Sequence, residues 1–260
     1  MTSFQRNILY KKKPTTSVIC AIARNEERYI DEWIHYHLSL GFHHIYIYDN
    51  SDDNSLQDKQ SNEITIIHFP GKSKQLDAYH NFISIFGDKH QWAAFIDLDE
   101  FIVLKKHNSI SRFLSQYRCS AIGLNWLLFG TNQHTHYKSE PVTKRFTQCA
   151  STPDHHIKSI VQLQYAWFFN DPHHMMLRSG TTCDPHNQQI IGSFHSIGTT
   201  DIACIHHYYT KSEEEFIEKI ERGRADTIKK RSYTESEDIH SRNNDVMNTD
   251  AWDFYSKYLS

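Results

Sequence analysis

Apolar and polar positions alternate in blocks along the first hundred residues. Residues 17–23 (Ser-Val-Ile-Cys-Ala-Ile-Ala) form a β-rich apolar run, a first strand. Asn25 follows as an expected N-cap, with Glu26 and Glu27 in the first turn, where a helix dipole favours carboxylates. Ile30, Trp33, Ile34, His37 and Leu38 recur at helical spacing until Gly41 stops the helix. Residues 45–48 form a second strand that ends in a polar loop over 49–55, and 64–67 a third. Lys74 to Phe86 predicts a second helix, with Leu76, Tyr79, Phe82, Ile83 and Phe86 on one face. A fourth apolar run, Trp92 to Ile96, stops at Asp97, Asp99 and Glu100. Strand and helix in this alternation predict an α/β fold built on a parallel, doubly wound sheet.

Farther along the pattern loosens. Ile102–Leu104 continues extended, Ser109–Tyr117 is a short helix and Ala121–Phe129 another strand. From 130 to 200, loops rich in His and Pro surround short strands expected near 143–149, 157–164 and 190–195, a composition suited to a substrate-facing region. Ile202–Ile205 is the last clear strand. Ser212 with Glu215 forms a capping box, opening a charged helix that runs to about Ala225. Its apolar face (Phe216, Ile217, Ile220) is thin, which predicts a helix on the domain surface. The tail is polar until Trp252, Phe254, Tyr255, Tyr258 and Leu259, which predict a short docking helix. With no internal repeat and no linker, residues 1–260 are expected to form one domain.

Composition narrows the function. The 28 Lys and Arg against 31 Asp and Glu give a net charge of -3, which leaves no general basic footprint for nucleic acid. Cys20, Cys119, Cys149, Cys183 and Cys204 are widely spaced, odd in number and form no CxxC pair. A disulfide framework or zinc ribbon is not expected, and a reducing compartment fits best. Met1 to Pro14 has no apolar signal segment, and no apolar run approaches the ~20 residues of a membrane span. Lys11-Lys12-Lys13 reads as a solvated tail that leaves room for peripheral contact with an anionic surface. The 19 histidines include no HExxH zinc motif.

The candidate chemistry collects after the strands. Arg24-Asn25-Glu26 follows the first, Asp49 the second, Asp97 and Asp99 the fourth, and His207 the last. In a parallel sheet these carboxyl ends share one edge, the ligand-binding edge of open α/β folds. Clustered carboxylates repel one another and are costly to bury unpaired, so a divalent cation is the cheapest resolution. Asp97 and Asp99, two apart on an extended segment, are expected to point the same way and share one ion. Carboxylates suit Mg²⁺ or Mn²⁺, and the imidazole of His207 tilts the choice toward Mn²⁺. The combination suits a nucleotide whose diphosphate is held by a metal.

Over residues 17–225 the chain resembles the nucleotide-sugar glycosyltransferases of the GT-A fold, in particular the family-2-like group related to glycosyltransferase family 92. The resemblance rests on Ala23-Arg24-Asn25-Glu26, Glu32-Trp33-Ile34 with Tyr36-His37, and Leu40-Gly41 with His44 through Ser51. It continues through Gln75, Phe95-Ile96-Asp97-Leu98-Asp99-Glu100-Phe101, Trp126 with Phe129-Gly130, Lys158-Ser159, His207-Tyr208-x-Thr210-Lys211-Ser212 and Arg222-Gly223. It implies a GT-A, Rossmann-like fold with a mostly parallel central sheet flanked by helices. Residues 15–105 would be the nucleotide-binding half, 106–225 a looser acceptor-side half and 226–260 a C-terminal tail.

The resemblance also implies roles. Asp97 and Asp99 occupy the DxD positions that bind the donor's metal, and His207 the histidine that completes its coordination. Asp49 falls where uracil or ribose is contacted, and Arg24, Asn25, Glu26 and Gln75 belong to the nucleotide-sugar site. Lys211 would either neutralise diphosphate charge or be an exposed lysine at a helix entry. The implied reaction moves a sugar from a nucleotide sugar, expected to be a UDP-sugar, to a glycan or lipid-linked saccharide acceptor in the cytoplasm, with inversion. The general base is open among Asp154, Asp171, Asp184, His173 and His174, with Asp171 placed first because Asp171-Pro172-His173-His174 concentrates candidates. Trp126, Trp167 and Phe168 either stack on a sugar or pack in the core. The rival readings are a metal-dependent phosphohydrolase of haloacid-dehalogenase type, which also places Asp-x-Asp after a strand, and a non-catalytic sugar-nucleotide- or glycan-binding domain.

Overall fold

The structure, a computed structural model, describes residues 16–223 and 243–259. Lys11–Lys13, residues 224–225 of the expected charged helix and the 226–242 stretch of the tail lie outside the described residues. Along the chain run β1 (Ser17–Ala23), α1 (Ile30–Ser39), β2 (His44–Asp49), β3 (Ile64–His68), α2 (Gln75–Phe86), β4 (Trp92–Phe95), β5 (Glu100–Leu104), α3 (Ile110–Leu114) and β6 (Ala121–Leu128). There follow α4 (Val142–Arg145), β7 (Gln148–Cys149), β8 (Ile157–Gln162), β9 (Ala166–Phe169), β10 (Met175–Leu177), β11 (Thr182–Cys183), β12 (Gln189–Ile190), β13 (Ala203–His207), α5 (Glu213–Arg222), β14 (Val246–Met247) and α6 (Asp250–Tyr255).

Ten strands form one sheet in the order β12-β11-β6-β8-β4-β1-β2-β3, with β13 against β6 and β5 against β13. The β3-β2-β1-β4 half is parallel. Beyond it, β8 runs antiparallel to both β4 and β6, and β5 runs antiparallel to β13. The expectation of a mostly parallel sheet therefore holds for one half only, and the whole is mixed. The reason lies in the connections. A parallel return needs a long crossover, normally a helix. The first half has α1 and α2, whereas α3 and α4 are only 5 and 4 residues long.

Both faces of the sheet are covered, as the alternation along β1 requires. Ile19, Ala21 and Ala23 pack into the core that contains Trp33 and Tyr36 of α1 and Ala251 and Tyr255 of α6. Val18, Cys20 and Ile22 pack into the opposite core with Tyr79 and Phe82 of α2 and Phe169 of β9. The aromatic tail thus docks as a short helix.

Three local expectations change. Asn25 does not cap α1. It takes the left-handed conformation (φ 54), and the Glu26 carbonyl accepts the N–H groups of Tyr29 and Ile30 at 3.0 and 3.1 Å before the helix begins. The expected strand over 143–149 is instead α4 followed by the two-residue β7. The Glu32 carboxylate accepts the N–H groups of Val142 and Thr143, stabilising a helix start there. Last, Cys119 and Cys183 form a disulfide across 64 residues, so the expectation of a chain without such bonds fails for one pair. The parallel pairing of β11 with β6 is what makes these distant positions neighbours. Cys20, Cys149 and Cys204 are free and buried. Among the described residues no helix is long and apolar enough to cross a membrane.

Candidate active site at the sheet edge

The parallel strands β1, β2 and β4 bring Arg24-Asn25-Glu26, Asp49 and Asp97 to one edge. Because β8 is antiparallel to β4, the start of β8 reaches the same edge, and it carries Lys158. β6 reverses again, and β13 runs parallel to β6, which delivers His207 there.

Asp97 and Asp99 do not lie on one extended face. Residues 97–100 form a turn closed by the Glu100 N–H on the Asp97 carbonyl at 3.1 Å. The turn sends the two carboxylates to different partners. Asp97 Oδ1 accepts from Gln75 Nε2 at 2.6 Å and Oδ2 from Lys158 Nζ at 2.8 Å. Asp99 Oδ2 is paired with Lys219 Nζ, and Asp99 Oδ1 stands 3.5 Å from His207 Nε2. Glu100 lies beneath, fully buried, accepting the Asp97 N–H at 3.0 Å and facing Lys158 at 3.6 Å.

Burial and charge set the protonation states. Burial alone would raise the Asp99 carboxyl, but the Lys219 ammonium and His207 hold it well below the usual range. Burial pushes the His207 imidazole down, with Asp99 opposing, so the ring is disposed to be a neutral ligand. Burial also disfavours the Lys158 ammonium, yet the Asp97 and Glu100 carboxylates keep it protonated. Glu100 is raised, first by burial and then by the neighbouring Asp97 and Asp99 charges.

Helix α5 closes one side of the edge with polar groups. The Ser212–Glu215 capping box forms as expected. The helix lies at the surface as expected, with Glu213, Glu214, Ile217, Glu218 and Glu221 exposed, but beside the buried Phe216 its inward face carries charged groups. Lys219 reaches Asp99, and Arg222 donates to the carbonyls of Arg24 and Asn25 at 2.7 and 2.9 Å and pairs with Glu26 at 2.7 Å. Glu215 takes both arms of Arg145 at 2.9 and 3.0 Å and the Tyr29 hydroxyl at 2.8 Å. Lys211 is buried, not an exposed helix-entry lysine. Its Nζ stands 3.9 Å from Glu26 Oε2 and 3.9 Å above the Tyr29 ring.

Other candidates are committed to their own loops. Asp49 accepts from the Ser51 N–H and hydroxyl and from the Leu56 N–H, so it organises the 50–56 loop. Arg24 is partly exposed, 3.7 Å from Asp52. Asp171 accepts from the N–H groups of His173 and His174 and from the Ser193 hydroxyl. Asp184 is buried and holds the His186 and Gln188 N–H groups and His195 Nε2. His174 Nε2 faces the Thr182 hydroxyl at 3.3 Å. Asp154 accepts both the N–H and the ring Nδ1 of His156, at 2.9 and 2.7 Å. Trp126 is no isolated core residue, since its ring meets His156, His173 and His207 with centroids 4.7, 5.1 and 4.4 Å away. Trp167 is exposed and stacks edge-on with Phe168 at 4.6 Å.

Sequence reasoning did not assign site roles to Lys158, Lys219, Arg222 and His156. A carboxyl-end rule cannot find Lys158 and His156, because they stand at the start of an antiparallel strand. Arg222 was marked by the family resemblance without a role, and the polar side of α5 was the signal for Lys219.

The donor set is compatible with a divalent cation. Asp97, Asp99 and His207 supply oxygen and imidazole ligands, and among the described residues the buried His207 Nδ1 and Glu100 Oε1 have no hydrogen-bond partner. Among the described residues, however, no three His, Cys, Asp or Glu side chains are gathered closely enough to hold a metal by themselves. An ion here would need ligands from a substrate, as Mg²⁺-type ions bound by few carboxylates commonly do.

A strand-end edge of this kind is a ligand-binding feature of α/β enzymes, and comparison with known proteins gives the class. A model of glycosyltransferase family 92 matches residues 13–246, and the chain belongs to this family. It is 26% identical over 183 residues to a family 92 glycosyltransferase protein of Oryza sativa subsp. japonica, covering 66% of this chain and 31% of that protein. Family 92 proteins of Ricinus communis and Arabidopsis thaliana are 28% and 25% identical over 181 and 182 residues, each covering 62% of this chain and 31% and 32% of theirs. The chain thus aligns with about a third of the length of these relatives. Family membership supports a glycosyltransferase.

Proposed function

We propose that the chain transfers a sugar from a nucleotide sugar, of which UDP-sugars are the first choice, to a saccharide or lipid-linked glycan acceptor, with inversion. The observation that carries the reading is the clustering of Asp97, Asp99, His207, Lys158 and Lys219 at one sheet edge, where a diphosphate would meet both carboxylates and ammonium groups. Asp97, Asp99 and His207 would hold Mn²⁺ or Mg²⁺, and the ion would supply electrostatic stabilisation of the departing diphosphate. Gln75 and Lys158 orient Asp97. Lys219, which pairs with Asp99 and donates to the Tyr209 carbonyl at 2.8 Å, would add positive charge beside the phosphate oxygens. Lys211 adds a further positive charge nearby. Asp49 shapes the loop after β2, and Arg24, Asn25 and Glu26, tied to α5 by Arg222, form the nucleotide's other wall.

Ion pairing of both aspartates favours a second reading, in which Lys158 and Lys219 neutralise the diphosphate without a metal. Thermal stabilisation by UDP, GDP and CDP with and without Mn²⁺ separates the two, since a bound ligand raises stability by mass action. We expect Mn²⁺-dependent stabilisation in the native chain and its loss in Asp99→Asn, which melts at a lower temperature than the native chain but still unfolds cooperatively without ligand. Stabilisation that survives EDTA and Asp99→Asn would support the lysine reading and remove the metal assignment.

A further inference from the structure

The mechanism above still lacks a group to accept the acceptor's proton, and the geometry points to His156. We infer that His156 is the general base of the proposed transfer and that Asp154 is its positioning residue. The inference rests on the transferase reading.

The placement comes from β8. His156 and Lys158 are two apart on extended chain and therefore share a face. Lys158 reaches Asp97 at 2.8 Å, which puts His156 over the same edge. Trp126 joins the two halves of the site. Its indole stacks nearly parallel on His156 (4.7 Å, 22°) and meets His207 at 4.4 Å. His156 and the proposed metal-binding histidine thus contact the same indole.

The chemistry fits as well. Asp154 Oδ1 accepts from Nδ1 at 2.7 Å, which fixes the tautomer and leaves Nε2 as the basic nitrogen. Among the described residues Nε2 has no hydrogen-bond partner, and the side chain is 35% exposed, so a substrate can reach it. The neighbouring His173, 5.0 Å away, is less suited. Its Nδ1 meets only the Ile157 carbonyl, and burial, then the Lys158 and His156 charges, lower its pKa to about 4. Asp171 and Asp184 are occupied by backbone N–H groups of their own turns.

In the step assigned here, the acceptor oxygen bonds to C1 of the donor sugar as the bond from C1 to the phosphate oxygen breaks. The hydroxyl proton passes to His156 Nε2, and the bonding pair leaves with the nucleoside diphosphate. Asp154 stabilises the imidazolium that forms.

The test uses nucleophiles that do and do not need a base. Release of nucleoside diphosphate is followed on the full chain with Mn²⁺ and a panel of UDP-, GDP- and CDP-sugars, with water as nucleophile or with sodium azide. Azide carries no proton to remove. His156→Ala and the bulkier His156→Gln should lower release to water by about 100-fold or more, the usual worth of a general base. Both should keep nucleotide-dependent thermal stabilisation, and azide should restore release with formation of a glycosyl azide. Asp154→Asn should show a smaller loss with the same azide rescue, which a merely structural role would not produce. Release by both His156 variants within twofold of native, or rescue seen only in His173→Gln, overturns the assignment while leaving the transferase reading in place. A native chain that releases no nucleoside diphosphate from any sugar in the panel overturns both.

Discussion

Lys158 is the residue on which the carboxylate turn depends. It is one of the largest fully buried side chains, and its ammonium lies between Asp97 at 2.8 Å and Glu100 at 3.6 Å. Removing one partner of a buried ion pair leaves an uncompensated charge, at a cost of about 3–5 kcal/mol. Lys158→Met should destabilise the protein by that order in urea denaturation, and adding Glu100→Gln should recover part of the loss. Strictly additive losses would mean that the two side chains are not coupled. Aspartates elsewhere show why single residues were hard to assign. Asp49, Asp154, Asp171 and Asp184 each accept the N–H two residues on, the ordinary turn use of aspartate. Only at Asp154 does the same oxygen also hold an imidazole, at 2.7 Å. Sequence shows four equivalent aspartates, and the ring orientation that distinguishes one of them is a tertiary fact.

Among the elements, α5 differs most from its helical wheel. Its capping box and length were legible, because both follow from local residues. Its docking was not, since beside Phe216 the inward face carries Glu215, Lys219 and Arg222, whose partners Arg145, Tyr29, Asp99 and Glu26 come from three other segments. The Glu215 contact gives this docking a pH signature. Burial alone would raise its carboxyl, but Arg145 and Ser212 lower it from 4.5 to about 2. A folded value below the unfolded one means stability that is complete above about pH 4.5 and is lost as pH falls toward 2. Glu215→Gln should lower the urea midpoint at neutral pH and flatten its decline across that acidic window. An unchanged acid profile would show that α5 docks without this pair. By contrast, β1, β2, β3 and α2 matched their patterns to within a residue or two, as short apolar strands and one amphipathic helix should.

For the whole molecule, strand direction decides what the site contains. The parallel half presents strand ends, and the antiparallel β8 presents a strand start, so one edge receives aspartates from the first and lysine and histidine from the second. The disulfide belongs to this scale too. It fastens β11 beside β6 across a separation of 64 residues. Replacing Cys119 and Cys183 together by Ser should cost roughly 2–4 kcal/mol through the freed unfolded chain. Reductant should shift the urea midpoint of the native chain toward that of the double variant and leave the variant unmoved. A native midpoint indifferent to reductant would show that the bridge contributes nothing. By itself, the sequence determined the first strand–helix alternation, the carboxylates at its edge and the family resemblance, because periodicity and motifs are local properties of the chain. Only the tertiary structure decided that the sheet is mixed, that Asp97 and Asp99 diverge, and that each has a lysine partner 61 or 120 residues away. The physical reason is that strand register and long-range ion pairs depend on how distant segments pack, and no spacing along the chain encodes that.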